Sequence, residues 1–149
     1  MTVAPLRREV LVDADRTLAF AVFTQRIGAW WPVDVHSVHG AGATVVFDAE
    51  EVGGRLVESK AGADDAVWGT VTRWEPVDAV AFTWHPGQGP ERASQVSVTF
   101  EDSGGKTLVR LEHTGWEAFG ERVQEAREEY DHGWPVVLDA YAALASAAA

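Results

Sequence analysis

The chain contains no cysteine. Structural disulfides, thiolate catalysis and cysteine-ligated zinc are thereby excluded, and the absence accords with a reducing, cytoplasmic setting. Cations are scarce as well: 12 Lys and Arg stand against 23 Asp and Glu, a formal net charge of −11. Nucleic acid is an unsuitable partner for such a chain, because phosphate binding needs clustered cations. The same charge disfavours an anionic membrane surface and favours solubility. No apolar stretch approaches the length of a membrane span. Met1 to Val12 lacks the apolar run and small-residue cleavage site of a signal peptide.

What the chain does have is tryptophan, seven in 149 residues, two of them adjacent as Trp30-Trp31-Pro32. Trp68, Trp74, Trp84, Trp116 and Trp134 spread the rest along the chain. Large aromatics bring apolar area and definite shape. They either fill a core or line an apolar cavity of the kind that holds small molecules. A length of 149 residues fits one domain, residues 1–149, with a core that needs no metal or disulfide.

Periodicity divides the chain into three parts. Arg7–Val12 reads as a strand, and Asp13 or Asp15 caps a helix over Arg16–Gln25 in which Leu18, Ala19, Val22 and Phe23 recur at helical spacing. Ile27–Trp31 adds a short helical turn stopped by Pro32, and residues 33–42 form a loop. Alternation then predicts strands around Val45 and Phe47, Arg55–Lys60, Ala66–Glu75, Val80–Trp84, Val96–Phe100 and Val109–His113, joined by short turns as an antiparallel meander. Gly53-Gly54 reads as a hairpin turn needing positive φ; no P-loop Lys-Ser/Thr follows it. In the last third Val123, Ala126, Tyr130, Trp134, Leu138, Tyr141 and Ala145 mark a long amphipathic helix. Gly133 and Pro135 predict a kink or break near His132 to Pro135. A sheet of this size has an apolar face to cover, and only that helix is large enough to cover it. The space between the two is where a ligand would sit.

Six motifs in order carry a family resemblance over residues 8–144. They are Val12-Asp13-Ala14 with Ala19-Phe20 and Trp30-Trp31-Pro32; Glu51-x-Gly53-Gly54-Arg55-x-x-Glu58; Trp68-Gly69-x-Val71-x-x-Trp74-x-Pro76; Phe82-Thr83-Trp84; Leu111-x-His113-x-Gly115; and Gly133-Trp134-x-x-x-Leu138. The chain resembles the family named for the activator of heat-shock protein 90 ATPase, a branch of the SRPBCC superfamily, also called START-like or Bet v 1-like. The resemblance implies an α+β helix-grip fold: a curved antiparallel sheet of six to seven strands around a long C-terminal helix, with one or two short helices after the first strand. It also implies a deep apolar cavity and, through the co-chaperone that names the branch, a link to stress response. That co-chaperone has an additional N-terminal domain, for which this chain leaves no room, and this counts against chaperone activation.

The candidate ligand-binding residues are Trp30, Trp31, Phe47, Phe82, Trp84, His113, Tyr130, Trp134 and Leu138. One of the Trp30-Trp31 rings is expected under the first helix and the other as a wall or lid of the cavity. His113 shares a strand face with Val109 and Leu111, so it is either a hydrogen-bonded core histidine or a polar anchor and general base. His85 follows Trp84 on the opposite parity and ranks lower. Glu58 lies on an exposed face, or points inward and needs a partner, for which Arg55, Arg73 and Arg110 are the nearest candidates. If Glu58 and His113 meet in one cavity they form an acid–base pair, and they are the two catalytic candidates. His36 and His39, three residues apart in a loop, lack a third ligand, so no metal site and no cofactor are expected; cavity-mouth contacts or solvent exposure suit them better.

Three functions follow. The first is a cytoplasmic carrier or receptor for a hydrophobic or aromatic small molecule, monomeric or homodimeric. The second is a cyclase-, aromatase- or hydratase-like enzyme using the same cavity. The third is a co-chaperone-like module with a chaperone or other protein partner. Binding without turnover is the favoured expectation.

Overall fold

Strand β1 (Leu6–Val12) opens the chain, and its buried ends, Leu6 and Val12, lie on the same face as Arg8 and Val10. Asp15 then caps helix α1 (Arg16–Thr24) by accepting from the Leu18 backbone N–H at 2.9 Å. The cap satisfies one of the donors a helix start leaves open, and Asp15→Ala is expected to cost about 1 kcal/mol of stability in urea unfolding. A short α2 (Ile27–Trp30) follows. The computed structural model describes residues 3–148; residues 1, 2 and 149 of the expected domain lie outside them.

Six further strands form the meander: β2 (Thr44–Phe47), β3 (Arg55–Ser59), β4 (Ala66–Glu75), β5 (Ala79–Trp84), β6 (Ser94–Ser103) and β7 (Lys106–Thr114). All pairings are antiparallel, in the order β1-β7-β6-β5-β4-β3-β2. The register puts Val80 opposite Val98, Phe82 opposite Val96, and Val98 opposite Leu111, so alternate residues build one continuous apolar face. Register shifts between Leu56 and Val57 and between Val71 and Arg73 interrupt the ladders on both sides of β4, as bulges do where a sheet bends. Gly69 sits between them; a Cβ there would run into the Thr83 carbonyl oxygen.

The hairpin glycines divide their roles. Gly53 has φ +94°, whereas Gly54 is needed for space, since a Cβ would collide with the Ala49 carbonyl.

A 3-10 segment (Trp116–Arg122) leads into α3 (Val123–Ala148). The helix runs unbroken through Pro135, so of the expected kink or break near His132 to Pro135 the break does not occur. The proline leaves the Asp131 carbonyl without its helical donor. The flanking Gly133, Trp134, Val137, Leu138 and Tyr141 are all buried, and this packing holds the helical path. The non-helical residue is Gly120 instead, at φ 58° and ψ −127°, where the chain turns into α3. Helix α3 packs on β1 and α1, and Tyr141 donates to the Ala19 carbonyl at 2.7 Å. The result is the helix-grip architecture: a seven-stranded curled sheet closed over one long helix.

Candidate functional site

Helix α3 meets the sheet in two zones. At one end Phe20, Phe23, Trp30, Phe100 and Tyr141 form a closed aromatic core with ring centroids 5.2–5.8 Å apart. At the other end the packing is incomplete, and a cavity of about 500 Å³ opens. Its aromatic wall is Trp31, Trp68, Trp84, Tyr130 and Trp134. Gly133 and Val137 of α3 continue the wall, and Val35, His36, Ser37, Val38, Pro86, Gly87 and Glu129 form its rim.

The wall is held by its own polar atoms. Trp31 Nε1 donates to the His36 carbonyl at 2.7 Å. Trp68 Nε1 donates to Glu58 Oε1 at 2.9 Å. Trp84 Nε1 donates to the Tyr130 hydroxyl oxygen at 2.9 Å. Trp134 Nε1 donates to His113 Nδ1 at 3.1 Å. An indole with its N–H fixed in this way has its ring plane fixed too. Burial pushes the Tyr130 hydroxyl pKa up, against the lowering effect of the Trp84 bond, and Glu129 pushes it further up.

His113 lies behind Trp134, fully buried. Since an indole N–H only donates, Nδ1 is the acceptor and Nε2 carries the proton, which goes to Ser94 Oγ at 2.8 Å. Ser94 Oγ in turn donates to the Trp84 carbonyl at 3.2 Å. Trp116 packs against the imidazole at a tilt, with centroids 4.1 Å apart. Burial lowers the His113 pKa to about 3, so the ring is neutral.

Glu58 faces inward from β3 on the same face as Leu56, and both are fully buried. Its partners are not the arginines. Oε1 accepts from the Val38 backbone N–H (2.8 Å) and from Trp68 Nε1, and Oε2 accepts from the His39 backbone N–H (2.8 Å). Arg55, Arg73 and Arg110 are engaged on exposed faces by Asp48, by Glu75, and by Glu9 and Glu101. The carboxylate thus ties the rim loop to the wall. Ser37 Oγ tightens the same loop, donating to the Val33 carbonyl and accepting from the Gly40 N–H. Gly133 lets the loop approach α3: a Cβ there would come within 3.3 Å of His36 Cε1.

Of the residues expected around a ligand, Trp31, Trp84, Tyr130 and Trp134 line the cavity together. Trp30 lies under α1, donating from Nε1 to the Val22 carbonyl at 2.8 Å. Phe47 packs edge-on against Trp74 and Phe82. Phe82 stands beside Trp84 in the core, and Leu138 is buried one turn beyond Trp134; neither lines the cavity. His113 and Glu58 stand behind the wall, each holding one tryptophan. His85 is confined to a turn, its Nδ1 against the Gln88 carbonyl. His36 reaches the rim, and His39 Nε2 contacts the Asp64 carbonyl. Among the described residues no three His, Cys, Asp or Glu groups converge as metal ligands, and no helix is long and apolar enough to cross a membrane.

The reading of the sequence left the face of Trp68 open and offered the cavity mouth or solvent for His36, and it did not single out Val137, Glu129, Val35 or Val38 as lining. Val137 was within reach: Tyr130, Gly133, Trp134 and Val137 fall on one helical stripe. The rim loop has no such periodicity.

Comparison with known proteins places this geometry. Residues 13–146 match the family described as Activator of Hsp90 ATPase homolog 1-like protein. The anthrahydroquino-gamma-pyrone synthase Txn09 is 31% identical over 87% of this chain and 88% of its own, with a TM-score of 0.60. CalC of Micromonospora echinospora, a self-sacrificing resistance protein, is 26% identical over 95% of this chain and 93% of its own, with a TM-score of 0.67. The Aha1 dimer of Colwellia psychrerythraea shares the fold at 18% identity over 94% of each chain, with a TM-score of 0.65. No curated protein matches the chain.

Proposed function

The chain belongs to the Activator of Hsp90 ATPase homolog 1-like family, and from that premise we propose that it is a small-molecule binding protein whose ligand enters the cavity between β5 and α3. One observation carries the reading: the packing that closes the far end of the molecule stops at an aromatic-walled space of about 500 Å³, within the size range of ligand sites. The wall rings are locked by hydrogen bonds before any ligand arrives, and such preorganisation lowers the entropic cost of binding.

Titration with a panel of apolar and aromatic compounds is expected to give a saturable change in tryptophan emission. Val38→Trp, on a half-exposed rim side chain, is expected to narrow the mouth and weaken that response about tenfold or more, while changing stability by less than about 0.5 kcal/mol. No saturable response from any compound would overturn the proposal. Native mass spectrometry of the protein from its own host is the complementary measurement, because a retained ligand adds mass that denaturation removes.

Catalysis in the same cavity is the second reading, favoured by the synthase named among the relatives at 31% identity. Its groups would be those that reach the cavity, the Tyr130 hydroxyl, His36 and Glu129, since Glu58 and His113 are occupied behind the wall. Product formation from a bound aromatic precursor, lost in Tyr130→Phe with binding retained, would favour this reading. The co-chaperone reading draws on the family and on fold-level likeness to a dimeric protein at 18% identity. Retention of the chain by a heat-shock protein 90 chaperone in a pull-down is the result it requires.

A further inference from the structure

We infer that the cavity takes an organic cation, an alkylammonium group carried on an apolar or aromatic body. The inference rests on the small-molecule reading of the cavity and adds the charge of the ligand. It starts from what the wall withholds. All four wall indoles have already committed their N–H groups, to the His36 carbonyl, Glu58, the Tyr130 oxygen and His113. What they leave for a ligand is ring carbon, whose π faces carry a negative quadrupole.

The remaining lining has the same sign. No lysine or arginine contributes to it, and its one carboxylate is Glu129 at the rim. Among the described residues no lysine or arginine pairs with Glu129. Ser37 Oγ is spent on the Val33 carbonyl and the Gly40 N–H. A carboxylate, sulfonate or phosphate ligand would therefore meet a like charge and no indole donor; of the lining side chains only the His36 ring and the Tyr130 hydroxyl proton are left to serve it. A cation meets aromatic faces and a carboxylate, the combination by which proteins recognise quaternary ammonium groups. The chain's net charge of −11 adds long-range attraction of the same sense.

Three probes of nearly equal size separate charge from shape: phenyltrimethylammonium, its neutral isostere tert-butylbenzene, and benzenesulfonate. Each is titrated calorimetrically into the whole protein at one pH and ionic strength. Phenyltrimethylammonium is expected to bind about tenfold or more tighter than tert-butylbenzene, with benzenesulfonate weakest. Glu129→Gln, an exposed substitution, is expected to lower the cation's affinity about threefold or more and leave the neutral isostere unchanged. Equal or tighter binding of tert-butylbenzene or benzenesulfonate, or an unchanged cation affinity in Glu129→Gln, would overturn the inference while the small-molecule reading stands. Failure of all three probes, together with a silent apolar panel, would overturn both.

Discussion

Glu58→Leu is expected to destabilise the protein by about 3–5 kcal/mol, because it strands three donors at once, the buried Trp68 indole among them. The Val38 and His39 backbone N–H groups and the Trp68 indole N–H all end on this one carboxylate. Leucine has a comparable volume and no acceptor, so the loss is of hydrogen bonds rather than of packing. Glu58→Gln retains one acceptor oxygen but turns an NH2 group toward donors, and it is expected to cost about half as much. Urea unfolding measures the cost. Hydrogen exchange locates it: the Val38 and His39 amides should lose protection well before the amides of β6 and β7. If Glu58→Leu does not fold, Glu58→Gln carries the test. Because Val38 and its neighbours form the rim, both variants are also expected to weaken ligand binding. Stability within about 1 kcal/mol of the parent, with Val38 and His39 still protected, would show that the rim is held by something other than this carboxylate.

Glu58 also marks the boundary of what the sequence makes legible. The alternation of Val80, Phe82 and Trp84, of Val96, Val98 and Phe100, and of Val109, Leu111 and His113 specifies a half-buried meander, and the observed register aligns those residues on one face. The stripe from Val123 to Ala145 likewise specifies the covering helix. Such patterns are local, and they survive folding because burial acts on each face as a whole. The wall of the cavity is not local. Whether a tryptophan packs in a core or faces a ligand depends on where its N–H finds an acceptor. For Trp84 that acceptor is Tyr130, 46 residues away, and for Trp134 it is His113, 21 residues away. Two of the three donors to Glu58 are backbone groups of a loop 19 and 20 residues upstream, and side-chain identity does not reveal a backbone donor. Charge matching suggested arginine for that reason. Pro135 fails in the opposite direction: its local cost is real, but the buried residues on both sides outweigh it.

The stability of the protein is expected to depend on pH through His113, in a window set by its pKa of about 3 in the fold against the ordinary histidine value of 6.5. The fold holds the ring neutral, so below pH 6.5 the unfolded chain binds a proton that the folded chain refuses. This contribution is intact above pH 6.5 and is lost at about 1.4 kcal/mol for each pH unit as the pH falls toward 3. Geometry gives the physical reason. Protonation would turn Nδ1 from acceptor to donor against the Trp134 N–H and place a charge at a site sealed by Trp116 and Tyr130. His113→Gln offers an acceptor for Trp134 and a donor for Ser94 without titrating. The difference in unfolding free energy between parent and variant, followed downward from pH 6.5, isolates this group from the surface carboxylates that both proteins share. The parent is expected to fall more steeply, while the ligand affinity of the folded protein holds through the window because its ring stays neutral and Trp134 keeps its acceptor. Parallel pH profiles would mean that the imidazole is already charged or already solvated in the fold. Trp134 would then need another explanation for its place in the wall.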